Sequence, residues 1–197
     1  MLSWLFGTFA LSYALGSIPF GLLLTRAAGI KNLRSIGSGN IGATNVMRTG
    51  RTGLAAATLL LDGLKGAAAV LVAQYAYNQD FAPIAGLCAI LGHIFPVWLH
   101  FKGGKGVATT IGVLFALNWM LGATVCLMWL GVFVLTRTSS LAAMLSIGFS
   151  AIAAYLLDSY LTALLCLCLA GLIVFTHRAN IVRLIDGTEG KFHKGSA

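Results

Sequence analysis

Trp119-Met-Leu-Gly-Ala-Thr-Val-Cys-Leu-Met-Trp-Leu-Gly-Val-Phe-Val-Leu-Thr136 runs without a single charge and stops at Arg137. At about 1.5 Å per residue a helix of that length covers roughly 27 Å, close to the hydrocarbon thickness of a bilayer. The reading is a transmembrane helix, and the sequence on either side repeats it. Leu141 to Leu157 and Tyr160 to Thr176 follow, parted by Asp158-Ser159, while Leu2 to Thr25, Leu54 to Tyr77 and Ala82 to Leu99 come before. Pro19, with Gly16 and Gly21, loosens the second half of the first segment, and Asn78-Gln79-Asp80 turns the chain after the second. Val107 to Leu117 is short, about 16 Å as a helix. It crosses by including the glycines before it, tilts in a locally thin bilayer, or re-enters. The sequence therefore predicts an all-α integral membrane protein of about seven transmembrane helices, with residues 1–197 forming one membrane-embedded domain.

Composition excludes a soluble globular domain, since 58% of residues are hydrophobic, 9% are charged and the mean hydropathy is +0.91. A net charge of +8 would suggest nucleic acid in a soluble protein. Here it sorts by side, and no nucleic-acid partner is expected. Every Lys and Arg except Lys65 falls on one side of the seven-span layout, and the other keeps Asp80 and Asp158. The positive-inside rule then places the N-terminus outside and the C-terminus in the cytoplasm. The first basic residue, Arg26, follows the first apolar run rather than preceding it, so that run reads as a retained span and not a signal peptide. Cys88, Cys126, Cys166 and Cys168 lie inside apolar segments without His or acidic partners at ligand spacing. They read as small hydrophobes, and neither a metal site nor a cofactor is expected. Trp4, Trp98, Trp119 and Tyr160 near span ends read as interfacial anchors, whereas His93, His100 and His193 have no evident partner.

Three polar patches interrupt the oily sequence, each an odd number of spans from the next, so that all three can gather on one membrane face. Gly37-Ser-Gly-Asn-Ile-Gly42 has the GxGxxG spacing of a dinucleotide loop, but no buried strand precedes it and Asp62 beyond it falls inside a span. Glycines still let successive N–H groups point at one anion. Ser38, Asn40, Thr44 and Asn45 add donors there, and Arg48 and Arg51 add charge. A flexible loop with a solvated basic end is the alternative. Lys102-Gly103-Gly104-Lys105-Gly106 has no Cβ to block a phosphate and leads into the helix at Val107, whose N-terminus attracts anions. An ordinary basic loop with hinge glycines competes with that reading. His177 and Asn180 form the third patch, at helical spacing. A neutral imidazole there accepts a proton from a hydroxyl, and an interfacial boundary marker is the competing reading. Asp62 and Lys65 read as an i,i+3 pair inside a span, where charges are costly and paired. Ser139 and Ser140, after Arg137, either cap the next helix or touch a ligand.

Together these residues resemble the bacterial acyl-phosphate:glycerol-3-phosphate acyltransferases, integral membrane enzymes of phospholipid synthesis. The likeness rests on Gly16-Ser-Ile-Pro-Phe-Gly21, Gly37-Ser-Gly-Asn-Ile-Gly-Ala-Thr-Asn45 with Arg48, and Leu61-Asp-Gly-Leu-Lys-Gly66. It continues through Gly92-His-Ile-Phe-Pro96, Phe101-Lys-Gly-Gly-Lys-Gly-Val-Ala-Thr109, Ser139-Ser-Leu141 and His177-Arg-Ala-Asn-Ile-Val-Arg-Leu184. Each motif is weak alone, but the ordered set spans nearly the whole chain. Ala143 stands where some members carry a serine.

The resemblance implies a seven-helix, multi-pass protein of the bacterial cytoplasmic (inner) membrane. Its expected reaction moves a fatty acyl group from acyl phosphate to glycerol 3-phosphate at the cytoplasmic face, giving lysophosphatidic acid and phosphate without coenzyme A. The absence of an HxxxxD sequence after any histidine agrees with that donor. By resemblance, His177, Asn180 and Lys105 are the catalytic residues. Ser38, Gly39, Asn40, Thr44, Asn45, Arg48, Lys102, Gly103, Gly104 and Ser140 are expected to bind the substrates and their phosphate groups. A transporter of a phosphate ester is the competing class, but such proteins usually show repeated halves and a midplane site, and no repeat is visible here.

Overall fold

The computed structural model describes residues 2–76 and 79–192, with side chains from Phe6 onward. The Trp4 side chain, Asn78 and His193 lie outside the described residues. Ten α-helices and three 3₁₀ turns make up the regular structure, with no strand among the described residues. They fall into two compact units, Met1–Val113 and Leu114–Ala197.

The first unit begins with α1 (Leu2–Gly16) and α2 (Phe20–Ala27), one apolar segment broken at Pro19. Proline has no N–H and clashes with the preceding turn, so the helical ladder cannot run through it. Next comes the polar stretch, holding a 3₁₀ turn at Leu33–Ser35 and the short helix α3 (Ala43–Met47). Leu22, Leu33, Ile41, Val46 and Ala55 form a buried apolar cluster, with Leu54 and Leu99 packed on it, that anchors this stretch. The long helix α4 (Thr52–Ala76) and α5 (Ala82–Ile94) follow. α5 packs closely on α1 at Gly92, where a Cβ would stand 2.2 Å from the Tyr13 carbonyl oxygen. Beyond it the Tyr13 hydroxyl donates to the Phe95 carbonyl at 2.7 Å and accepts the Val97 N–H at 3.0 Å. Trp98 Nε1 donates to the Ser17 carbonyl at 2.9 Å, so this aromatic is tied to the helix break as well as sitting near a span end.

α6 (Val107–Leu117) starts straight after the lysine-glycine patch, and α7 (Trp119–Thr136), α8 (Ser139–Leu157) and α9 (Tyr160–Thr176) follow in an apolar series. Asn118 caps α7 by accepting from the Met120 and Leu121 N–H groups at 2.9 and 3.3 Å, and Ser159 caps α9 through the Thr162 N–H at 3.2 Å. α9 then bends by 63° into α10 (Arg178–Ile185). Among the described residues five candidate spans are long and apolar enough to cross a membrane, or six if the bent pair is one span. The short segment expected at Val107–Leu117 is α6, an apolar helix of eleven residues. Outward faces carry exposed Leu, Val, Ile and Phe, as lipid-facing surfaces do.

Candidate active site

In the first unit the loop between α2 and α4 is organised by Asn45. Its buried side chain accepts the Ser38 N–H at 3.1 Å and the Ser38 hydroxyl at 3.4 Å through Oδ1. Nδ2 donates to the Leu33 and Asn40 carbonyls at 3.2 and 2.8 Å. Asn40 in turn accepts the Gly42 N–H at 2.9 Å, a local turn closed by its own side chain. Gly39 lies at φ +69°, left-handed backbone that favours glycine. Around this frame Ser38, Thr44 and Arg48 are exposed, and the Arg48 guanidinium lies over Gly37. A serine hydroxyl and an arginine are thus presented on a loop held from behind.

The lysine-glycine loop is placed by α5. The Gly103 N–H donates to the Ile94 carbonyl and the Gly104 N–H to the His93 carbonyl, each at 3.0 Å. Arg34 bridges the two loops by donating from Nη2 to the Lys102 carbonyl at 2.5 Å. Lys102 is exposed and Lys105 half-buried, with α6 beginning two residues later. Successive N–H groups at that helix start, with lysines beside them, suit a phosphate group.

In the second unit the third patch sits at the bend between α9 and α10. His177 is buried, and its Nδ1 lies 2.8 Å from the Ile173 carbonyl oxygen. A carbonyl only accepts, so the neutral ring carries its proton on Nδ1 and its lone pair on Nε2. The Asn180 N–H donates to the His177 carbonyl at 2.8 Å, which fixes the amide one turn beyond the imidazole. Asn180 Nδ2 and Ser140 Oγ each donate to Glu189 Oε1 at 2.6 Å, and Arg183 Nε donates to Oε2 at 2.7 Å. Glu189, its side chain only 10% exposed, returns toward α8 after Gly187, whose φ is +68°. Burial by itself would raise the Glu189 carboxyl, but the hydrogen bonds from Ser140, Asn180 and Arg183 and the Arg183 charge outweigh it and hold it below its usual value.

A sequence profile of glycerol-3-phosphate acyltransferases matches residues 6–187. The chain belongs to that family. It is 58% identical over 179 residues to the glycerol-3-phosphate acyltransferase of Mesorhizobium japonicum, covering 91% of each chain. Over 181 residues it is 55% identical to that of Rhodopseudomonas palustris, covering 92% of each. A crystal structure of PlsY (YgiH), an integral membrane glycerol 3-phosphate acyltransferase, in its glycerol 3-phosphate form superposes with a TM-score of 0.90 at 35% identity and covers 96% of both chains. The lysophosphatidic acid form gives 0.88 at 34% identity, covering 96% of this chain and 95% of that one. An all-helical integral membrane acyltransferase is what the sequence predicts, and its bacterial relatives and apolar helices put it in the bacterial inner membrane.

Within this acyltransferase the structure joins Ser38, Asn40 and Asn45 in one hydrogen-bonded loop and ties that loop to the lysine-glycine loop through Arg34. It separately joins Ser140 and Asn180 through Glu189. Asp62 and Lys65 pair as expected, with Nζ 2.6 Å from Oδ1. Two organising residues, Glu189 and Arg34, have no role assigned from sequence. Glu189 is one of only five acidic residues in a chain of net charge +8, which is the signal that marks it. Arg34 carries no such signal, because a basic residue in a basic loop is already explained by topology.

Proposed function

We propose that this protein transfers a fatty acyl group from acyl phosphate to glycerol 3-phosphate, releasing lysophosphatidic acid and inorganic phosphate at the cytoplasmic membrane face. The observation that carries the reading is the pair of glycine loops in the first unit, bridged by Arg34, that carry Ser38, Arg48, Lys102 and Lys105. An acyl phosphate is already an activated mixed anhydride, so no covalent acyl-enzyme is required. The difficulty is to hold two phosphate-bearing anions beside a greasy chain, and preorganised donors offset their repulsion.

Ser38, Arg48 and Lys105 hold phosphate groups. Gly39, Asn40, Thr44, Asn45, Lys102, Gly103 and Gly104 shape the pockets around them, with Asn45 acting from behind its loop. His177 and Asn180 position the attacking hydroxyl, and Ser140 supports Asn180. The hydroxyl oxygen of glycerol 3-phosphate bonds to the acyl carbon, the bond from that carbon to the phosphate oxygen breaks, and phosphate leaves. His177 Nε2 or the departing phosphate takes the hydroxyl proton. The acyl chain enters sideways from the bilayer.

The test mixes purified protein with acyl phosphate and glycerol 3-phosphate and follows lysophosphatidic acid and released phosphate, with acyl-coenzyme A as a parallel donor. Product from acyl phosphate alone is expected. Product only from acyl-coenzyme A discards the donor, and uptake into proteoliposomes without product discards the enzyme. Lys105→Ala and Arg48→Ala are each expected to lower turnover about a hundredfold, the scale of losing one charge-stabilising donor.

A further inference from the structure

The mechanism above does not use the ionisable side chains buried deepest in the first unit. Asp62, Lys65 and His93 are 3%, 5% and 5% exposed. Lys65 Nζ donates to Asp62 Oδ1 at 2.6 Å and to the Ile18 carbonyl at 2.7 Å, and it stands 5.7 Å from the centre of the Phe20 ring. Structure accounts for that pair, since Lys65 satisfies a carbonyl at the Pro19 break and Asp62 balances its charge. It does not account for His93. Its Nδ1 lies 3.7 Å from Asp62 Oδ1, too far for a hydrogen bond, and is buried with no hydrogen-bond partner among the described residues. An orphaned buried group of this kind is unfavourable, so something else fixes the ring where it is.

The other side of the ring supplies the reason. Gly104 of the lysine-glycine loop packs directly on the imidazole. A Cβ there would stand 2.1 Å from Nε2, 2.7 Å from Cε1 and 3.0 Å from Cδ2, and these three His93 atoms are its nearest neighbours. Gly104 does not have positive φ, so its backbone accepts an L side chain and the ring is the obstacle. The same residue also accepts the Gly104 N–H on its carbonyl at 3.0 Å. His93 therefore holds the loop twice, by backbone and by ring. A shift of about 1 Å toward Asp62 would complete a hydrogen bond to the carboxylate and withdraw the wall from Gly104.

We propose that His93 is a positioning residue for acyl transfer: its ring, steered by Asp62, sets Gly104 and with it the phosphate-holding donors of the Lys102–Gly106 loop. The proposal rests on the reading of that loop as a phosphate site. Misplacing such donors by about 1 Å costs up to a hundredfold in rate.

A double-mutant cycle in the full-length membrane enzyme tests it, with kcat/KM for glycerol 3-phosphate and for acyl phosphate measured beside the thermal midpoint. His93→Ala is expected to lower kcat/KM about tenfold. Gly104→Ala should cost about a hundredfold beside His93 but little further in the His93→Ala background, where the obstructing ring is gone. A residue that merely supports the fold gives losses that multiply, with a midpoint falling in step, and that result overturns the proposal. So does wild-type kcat/KM in His93→Ala. If His93→Ala does not fold, His93→Gln runs the same cycle, because its flexible chain yields to the new methyl and must show the same coupling. Lys105→Ala separates the two readings: its full activity sinks the phosphate loop itself, whereas an inactive Lys105→Ala with multiplying His93 and Gly104 losses sinks only the positioning role.

Discussion

Asn45 and Glu189 do the same job in the two units with opposite chemistry. Each gathers several groups around one buried or nearly buried side chain. Asn45 is neutral, both donates and accepts, and reaches partners no more than 12 residues away. Glu189 is charged, only accepts, and reaches across 49 residues to Ser140. The neutral amide shapes a loop from its own chain, so the loop needs little else to form. The carboxylate joins the head of α8 to α10, so that corner exists only once both helices are in place.

The largest expected break in this comparison is Glu189→Ala. Charge-assisted hydrogen bonds contribute about 1.5–3 kcal/mol each, and the Arg183 share is discounted because that side chain is 38% exposed and screened by water. Losing the Ser140 and Asn180 bonds should cost about 3 kcal/mol in all, read as a lower thermal midpoint in detergent together with a fall in turnover. Glu189→Gln restores one acceptor and should recover part of both. Asn45→Ala comes next, at about 2 kcal/mol for a neutral amide with partners on both ends. Its signature should be local: faster proteolysis at residues 33–46 while the 186–192 segment keeps its protection.

Acid sharpens the contrast. The folded Glu189 pKa is depressed below its usual 4.5, so the stability it adds is fully present above that pH and is lost as pH falls through the folded value. Hydrogen-exchange protection at Thr188, Glu189 and Phe192 should drop below pH 4.5, while the Asn45 loop holds. Equal loss in both regions would refute the distinction. The smallest effect is Ser140→Ala, which removes one donor and should cost about 1.5 kcal/mol.

Helix existence was legible because apolar runs and their polar stops are local facts: Val107–Leu117, Trp119–Thr136 and Tyr160–Thr176 form as read. The break at Pro19 is sharper than the expected loosening, since a missing N–H interrupts a ladder rather than softening it. The donors of the three patches were legible from residue type. Their division of labour was not. Whether Asn45 faces a ligand or its own backbone depends on where the Leu33 and Asn40 carbonyls end up. Glu189 stood out as a rare acid, but its role was hidden because Ser140 lies 49 residues away, and that of His93 because nothing in its sequence neighbourhood announces Gly104 as a contact.

The Lys65 bond to the Ile18 carbonyl also bears on how the chain is made. The ammonium that satisfies the Pro19 break is synthesised 47 residues after that carbonyl. In hydrocarbon a poorly satisfied backbone carbonyl is costly. The opening span of the nascent protein therefore holds its Ile18 carbonyl with the tight Phe20 N–H turn at 3.1 Å alone until α4 emerges and docks. Membrane insertion of this protein begins with a segment that is completed retroactively.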